Sequence, residues 1–154
     1  MIVEIKDLLE QVLTDHPAQG LALNVVVRDA TGEKKAVNER KHPFASLITY
    51  PGTFDDTESG IRGLKKDGEV HKIYLRGLAK MPVIVRIWAK NEEDADAIVS
   101  VFVPHIPHRW IYGGVAAKVE IVRTEASDFA SQMSGQYIAA VVVEFSCPMI
   151  STLS

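Results

Sequence analysis

Between Met81 and Val103 the hydrophobic pattern changes abruptly from a period of two to one near 3.6, which requires a strand that passes within a residue or two into a helix. Val83, Val85, Ile87 and Ala89 alternate with Ile84, Arg86, Trp88 and Lys90, so Pro82 to Lys90 reads as a strand with two distinct faces. Asn91 then supplies an N-cap oxygen, with Asp94 three positions on as the weaker half of a capping box. Glu92, Glu93 and Asp94 place negative charge at the positive end of the helix dipole. Ala95, Ile98, Val99 and Phe102 follow as one apolar stripe, and such a stripe needs a sheet to cover. Pro104 is expected to end the helix by pushing residue 103 out of helical geometry. The unit is scaffold, and no residue in it has to be catalytic.

A second helix is expected over 2–15. Val3 or Ile5, Leu8, Leu9, Val12 and Leu13 recur at helical spacing, Glu4, Lys6, Asp7, Glu10 and Gln11 face out, and Pro17 stops it. Strands are expected over Leu21–Arg28 and Phe44–Tyr50. A turn at Asp29–Gly32 and a charged loop or hairpin arm from Glu33 to Lys41 lie between them. Glu69–Leu78 and Met81–Lys90 read as two strands or one long bent strand, with Gly77 at the bend. Gly113-Gly114 between apolar runs signals a hairpin whose second strand, Val115 to Arg123, buries Val115, Ala117, Val119 and Ile121. Thr124–Ser134 is polar and reads as a connection with a short turn of helix. In the last strand, Gln136–Cys147, Tyr137, Ala139, Val141, Val143 and Phe145 line one face. Ile138, Ala140 and Val142 make the other face apolar too, so this strand belongs at the centre of the sheet.

The segment from Thr53 to Gly68 differs from the rest. Gly60, Gly63 and Gly68 with scattered charge allow no long helix, yet Phe54, Ile61 and Leu64 are more than a solvated loop needs. It is expected to be an extended arm.

The 154 residues suffice for one domain with a real core, and the net charge of −3 argues against a protein held to nucleic acid by bulk charge. The N-terminus reads as lacking a signal peptide, and no stretch approaches a membrane span. The lone Cys147 cannot form an internal disulfide and reads as a small apolar filler.

Chemical motifs are sparse. His105 and His108 have a spacing that could share a metal on a helix, but Pro104 and Pro107 forbid a helix there. Asp55, Asp56 and Glu58 lack the alternating ligands and fixed glycine of a calcium loop. No glycine-rich phosphate loop or nucleophile elbow is present. Trp88, Trp110 and Tyr112 read either as sheet packing or as subunit-interface aromatics.

Two stretches carry a family likeness. Pro-Val-Ile-Val-Arg-Ile-Trp-Ala followed by Asn-Glu-Glu-Asp-Ala-Asp-Ala-Ile-Val is one, and Gly-Gln-Tyr-Ile-Ala-Ala-Val-Val-Val-Glu-Phe is the other. With the N-terminal helix, the polar arm and the late hairpin, the layout resembles the tail-terminator, or tail-completion, proteins of long-tailed bacteriophages. The segment Thr53–Gly68 departs from that pattern, and no family residue is carried onto it. The resemblance implies a single α+β domain over 1–154, with a mainly antiparallel, mixed sheet and two helices packed on one face. It implies a structural virion protein of the tail, assembled in the host cytoplasm, that caps the tail tube as a homo-oligomeric ring, hexameric in the family, and forms the head–tail joint. It implies no enzyme activity and no cofactor. The implied partners are further copies of itself, the tail tube protein, head–tail connector proteins and passing DNA without specific binding; no membrane is implied. The alternatives are another virion component, such as a head–tail adaptor or baseplate protein, and a small-molecule binding or enzyme domain on a similar sheet. The residues expected at a subunit interface or lumen are Phe54, Asp55, Asp56 and Glu58 at one end of the arm and Arg62, Lys65 and Lys66 at the other. Trp110 and Tyr112 of the late hairpin join them.

Overall fold

The computed structural model describes residues 1–24, 26–28, 42–56, 60–66, 68–112, 115–127 and 137–152. They form a mixed α+β fold. Its elements are α1 (Ile2–Asp15), β1 (Val26–Val27), β2 (Phe44–Thr49), β3 (Thr53–Asp55), β4 (Gly60–Lys66) and β5 (Glu69–Ala89), then α2 (Glu92–Phe102), β6 (Arg109–Tyr112), β7 (Val115–Ser127) and β8 (Tyr137–Thr152). The strand order is β1-β2-β5-β8-β7-β6, with β3 and β4 also paired to β5. Every described pairing is antiparallel except β1 with β2.

β5 is the axis of the sheet. Its 21 residues extend roughly 70 Å at about 3.3 Å per residue. β2, β3 and β4 line up along one edge, opposite Val83–Trp88, Leu78–Lys80 and Glu69–Leu75 respectively. β8 covers the other edge from Ile73–Thr152 to Ala89–Tyr137. The strand is one element, bent where the register shifts between Leu75 and Gly77.

Two glycines permit this arrangement by close approach. A Cβ on Gly52 would sit 2.4 Å from the Lys80 carbonyl oxygen, and one on Gly77 would sit 2.2 Å from that of Asp55. Both distances are well inside van der Waals contact, so only glycine lets the β2–β3–β4 path kink while staying paired. Pro82 sits at the first kink, where β2 has ended and β3 has not begun. Its carbonyl accepts from the Tyr50 N–H at 3.1 Å, and its lack of a donor falls at a break in the ladder.

The core lies where β5 and β8 run side by side. Val83, Val85 and Ile87 of β5 are fully buried, as are Val141, Val143 and Phe145 of β8. Ile5, Leu9, Val12 and Leu13 of α1 belong to the same hydrophobic cluster, as do Ile98 and Phe102 of α2. α2 starts as its sequence dictates: the Asn91 side chain accepts from the Asp94 N–H at 2.8 Å. α1 is tied to the end of β1 by Arg28, whose guanidinium sits against Asp7 and Glu10. The opposite face of the central strands carries a second cluster, Phe44, Trp88 and Ile138. There the Phe44 and Trp88 rings stack at 5.5 Å, and the indole N–H donates to the Ser46 hydroxyl at 3.2 Å. Trp88 is therefore core.

Several boundaries differ from expectation. Of the strand expected over Leu21–Arg28, the described residues form Val26–Val27; before it, the Asn24 backbone N–H donates to the Pro43 carbonyl at 2.9 Å and the Asn24 side-chain amide donates to the carbonyls of His42 and Pro43. Residue 103 stays helical, at φ −57 and ψ −47. The chain then tightens into a 3-10 turn over Val103–His105 in which Pro104 occupies an early position that needs no N–H. The polar run Thr124–Ser127 is strand rather than connection, because it pairs with Ile138–Val141. Ile121 is 39% exposed instead of buried; the β7 ladder shifts register between Ile121 and Arg123, at the margin of the core. β8 runs on past Cys147 to Thr152. The turn at 29–32, the charged loop at 33–41 and the pair Gly113-Gly114 lie outside the described residues, although Tyr112 opposite Val115 is the register of a hairpin.

Candidate functional site

The candidate site is the part of the β5 ladder that runs beyond the core. Burial on β5 is continuous from Val83 to Val85, while Leu78 and Lys80 are exposed. From there outward β5 is flanked by β3 and β4 on one side and by the end of β8 on the other, a narrow arm of paired strands. The expected arm is thus a ladder rather than a loop. Its own composition does not hold it extended; the pairing of β3 and β4 to β5 does.

The core-side face of the sheet continues onto this arm. Phe54 lies opposite Ala79, Ala79 opposite Cys147, and Gly77 opposite Met149, so these residues share the face of Val83. Phe54 is 49% and Met149 38% exposed there, and Leu78 is 37% exposed on the other face. Cys147, one row from Met149, is buried, and burial pushes its thiol pKa up.

The acidic residues at the root of the arm divide. Asp55 is exposed, opposite Leu78. Asp56 accepts from Arg76 at 2.7 and 2.8 Å, and both side chains are exposed. An exposed pair in this two-pronged geometry holds direction more than it adds stability. Glu58 lies outside the described residues. Arg62, Lys65 and Lys66 belong to β4, at register positions opposite Ile73, Val70 and Glu69. Phe54, Asp55, Asp56, Arg62, Lys65 and Lys66 thus line one edge of β5.

Trp110 and Tyr112 are elsewhere. Both belong to β6, at the far edge of the sheet, with β8 and β7 between them and β5. Trp110 is half-buried and packs edge-to-face on Phe145, ring centroids 5.8 Å apart, so its ring is a margin of the core. Tyr112 is the last residue of β6, opposite Val115.

Some of the other chemistry-bearing side chains have structural partners. His105 stacks on His16 at 3.8 Å, and its Nδ1 lies 2.7 Å from the Val101 carbonyl. This joins the end of α1 to the turn after α2. Lys118 pairs with Glu120 and holds that carboxyl below its usual range. A groove of about 530 Å3 runs between the turn residues Val103, Pro104, Ile106 and Pro107 and the β7 residues Val119 and Ile121, with Lys118 and Glu120 at its margin. Among the described residues no group of three His, Cys, Asp or Glu side chains is placed to hold a metal ion, and no helix is long and apolar enough to cross a membrane.

The signal that sequence reasoning missed was the face continuity linking Phe54 to Met149. The alternation from Val141 through Phe145 and Cys147 to Met149 carries it. No protein-family model matches the chain, and no curated protein matches it.

Proposed function

We propose that this protein is a structural component of a phage tail. It caps the tail tube as a homo-oligomeric ring, six-fold in the family it resembles, and joins tail to head. The observation that carries the reading is the arm. A ladder extends past the core with Phe54, Leu78 and Met149 partly in water, and exposed apolar surface of this kind on a strand pair points to a partner.

In this reading the arm reaches a neighbouring subunit or the central channel. Asp55, Asp56 and Glu58 are assigned to a rim or lumen, where the negative charge that the Asp56–Arg76 pair does not neutralise keeps passing DNA from sticking. Arg62, Lys65 and Lys66 form an attractive seam with the next subunit, and Trp110 and Tyr112 sit at the far edge that such a neighbour meets. Head-to-tail contacts close into a ring when the rotation per subunit allows it. The further partners are the tail tube protein and head–tail connector proteins, in the virion. The reading needs no catalytic residue, cofactor or membrane. We also read α1 and α2 as lying on one face of the sheet; support comes from their shared cluster with Val83, Val85 and Ile87.

The test is electron microscopy of the purified protein alone and mixed with tail tubes, with mass in solution measured in parallel. Rings that seat on tube ends are expected. Replacing residues 55 to 66 by a short Gly linker is expected to leave a folded monomer that neither forms rings nor caps tubes. Normal capping by the deleted protein would make the arm a passive feature. A monodisperse monomer that ignores tubes and binds a small molecule would replace this reading with the binding-domain alternative.

A further inference from the structure

The arm and the start of α2 stand at opposite ends of one strand. β5 begins at Glu69, next to the arm's tip, and ends at Ala89, three residues before α2. Roughly 65 Å of strand separates them, many times the ~8–10 Å over which exposed charges feel each other at physiological salt. Their charges are opposite. Residues 60–72 carry Arg62, Lys65, Lys66 and Lys72 against Asp67 and Glu69. α2 carries Glu92, Glu93, Asp94 and Asp96 with no Lys or Arg. Among the described residues, none of those four carboxylates is in an ion pair. One chain cannot bring the two ends together, but two chains can.

Resting on the ring reading above, we propose that the uncovered arm docks on a second copy of this chain, with its basic outer strands against the acidic first turns of that copy's α2. The arm supplies two things to such a contact. Phe54 and Met149 on the core-side face give apolar surface that a lone monomer leaves in water, and the basic outer strands set direction and register. The contact is heterologous, because one patch meets a different patch. Every copy therefore offers one arm and one acceptor, and association continues until it closes. Nucleic acid is the weaker occupant for the same cations. In sequence the cations of residues 60–72 are interrupted by Asp67 and Glu69, and the whole chain is net negative, −3, whereas a phosphate backbone selects for uninterrupted positive charge.

Two full-length charge-reversed variants test this, Lys65→Glu/Lys66→Glu and Glu92→Lys/Glu93→Lys. Circular dichroism confirms that each is folded, and sedimentation velocity at low and physiological salt reads self-association. Because the acids at α2 also complement the helix dipole, Glu92→Gln/Glu93→Gln serves as a milder second variant. Each reversed variant alone is expected to self-associate about tenfold or more weakly than the parent, with the difference shrinking as salt rises. Mixing the two reversed variants is expected to restore association. The Glu-bearing arm then meets the Lys-bearing helix, and the unaltered arm meets the unaltered helix, in alternating copies. A restoration that needs both chains cannot arise within one chain.

If the parent forms rings and neither reversal weakens them, α2 is not the acceptor; this proposal falls and the ring reading stands. If the parent stays monomeric at high concentration and with tail tubes, both fall. If the reversals leave self-association alone but abolish retention of double-stranded DNA, the partner of the basic strands is nucleic acid and the proposal is overturned.

Discussion

Phe145→Ala tests whether the junction of β5, β8 and β7 is the mechanical centre of the fold. Phe145 has no exposed surface, lies between Met81 of β5 and Val119 of β7, and takes the Trp110 ring edge-on at 5.8 Å. Truncating a fully buried phenylalanine costs about 3–5 kcal/mol when the site cannot collapse. Collapse is hindered here because both neighbours are held in register by backbone pairing. Of that cost, about 0.5–1.5 kcal/mol belongs to the aromatic pair. Against a domain stability of about 5–15 kcal/mol, the variant is expected to lose at least about a fifth of its margin. Urea denaturation followed by far-ultraviolet circular dichroism measures it, with an unchanged m-value as the condition for reading the midpoint shift as stability. Phe145→Leu, which keeps most of the volume, is expected to cost about 1–1.5 kcal/mol. A double-mutant cycle with Trp110→Ala isolates the ring contact. A loss below about 1 kcal/mol for Phe145→Ala would refute the reasoning, since it would mean that this layer closes over the gap and is not held by the ladders on either side.

Three further outcomes follow from the geometry. Gly77→Ala is expected to destabilise by about 1–3 kcal/mol, because its new methyl would meet the Asp55 carbonyl at 2.2 Å; an unchanged urea midpoint would show that β3 swings aside freely. Asn91→Ala is expected to cost about 1 kcal/mol through loss of the α2 cap, while Asn91→Asp retains most of it; equal losses for the two would deny the capping role. The Glu120 carboxyl is expected to titrate below its ordinary 4.5, chiefly through its hydrogen bond to Lys118. A depressed carboxylate contributes stability above its unfolded pKa and loses it as pH falls through the folded value, so the effect belongs to acid pH only. Lys118→Met should return the Glu120 side-chain resonance toward the ordinary titration, and no movement on that substitution would assign the shift to another group.

The parts of this fold that can be read from the chain are those where a local pattern and its burial agree. α1 and α2 have one apolar stripe each, and both run over the residues their stripes mark. β8 is apolar on both faces and does lie between two other strands. Gly77 marks a bend in β5 because a close approach there tolerates no side chain. The misread stretches are held by partners distant in sequence. Thr124–Ser127 is polar enough for a loop, and only its pairing with Ile138–Val141 makes it strand. β4, with Gly60 and Gly63, has no alternation to announce it and is extended because β5 lies beside it. Of the candidate site, the arm was legible as a segment from its odd composition. That Trp110 is tied to Phe145 was not, since an aromatic in an edge hairpin has the same local pattern whether it packs inward or meets a partner.

The ladder between β5 and β8 joins residues that are far apart along the chain, Val83 to Val143 for example, and this has a consequence for how the protein comes together. On one side of that seam the paired residues are separated by 3 (Lys66–Glu69) to 44 (Phe44–Trp88) positions, and on the other by 3 (Tyr112–Val115) to 28 (Lys118–Ser146), against 48 (Ala89–Tyr137) to 79 (Ile73–Thr152) across the seam itself. Each side can zip up early, and the seam itself closes late, since non-local pairing follows local pairing. Until it closes, each side presents a long open edge to any other chain in reach. The molecule is thus a natural candidate for division. Fragments 1–106 and 107–154, refolded together, are expected to recover the native amide-exchange protection of β5 and β8, and each alone to remain aggregation-prone. Full protection of β5 in the first fragment by itself would place the late step elsewhere.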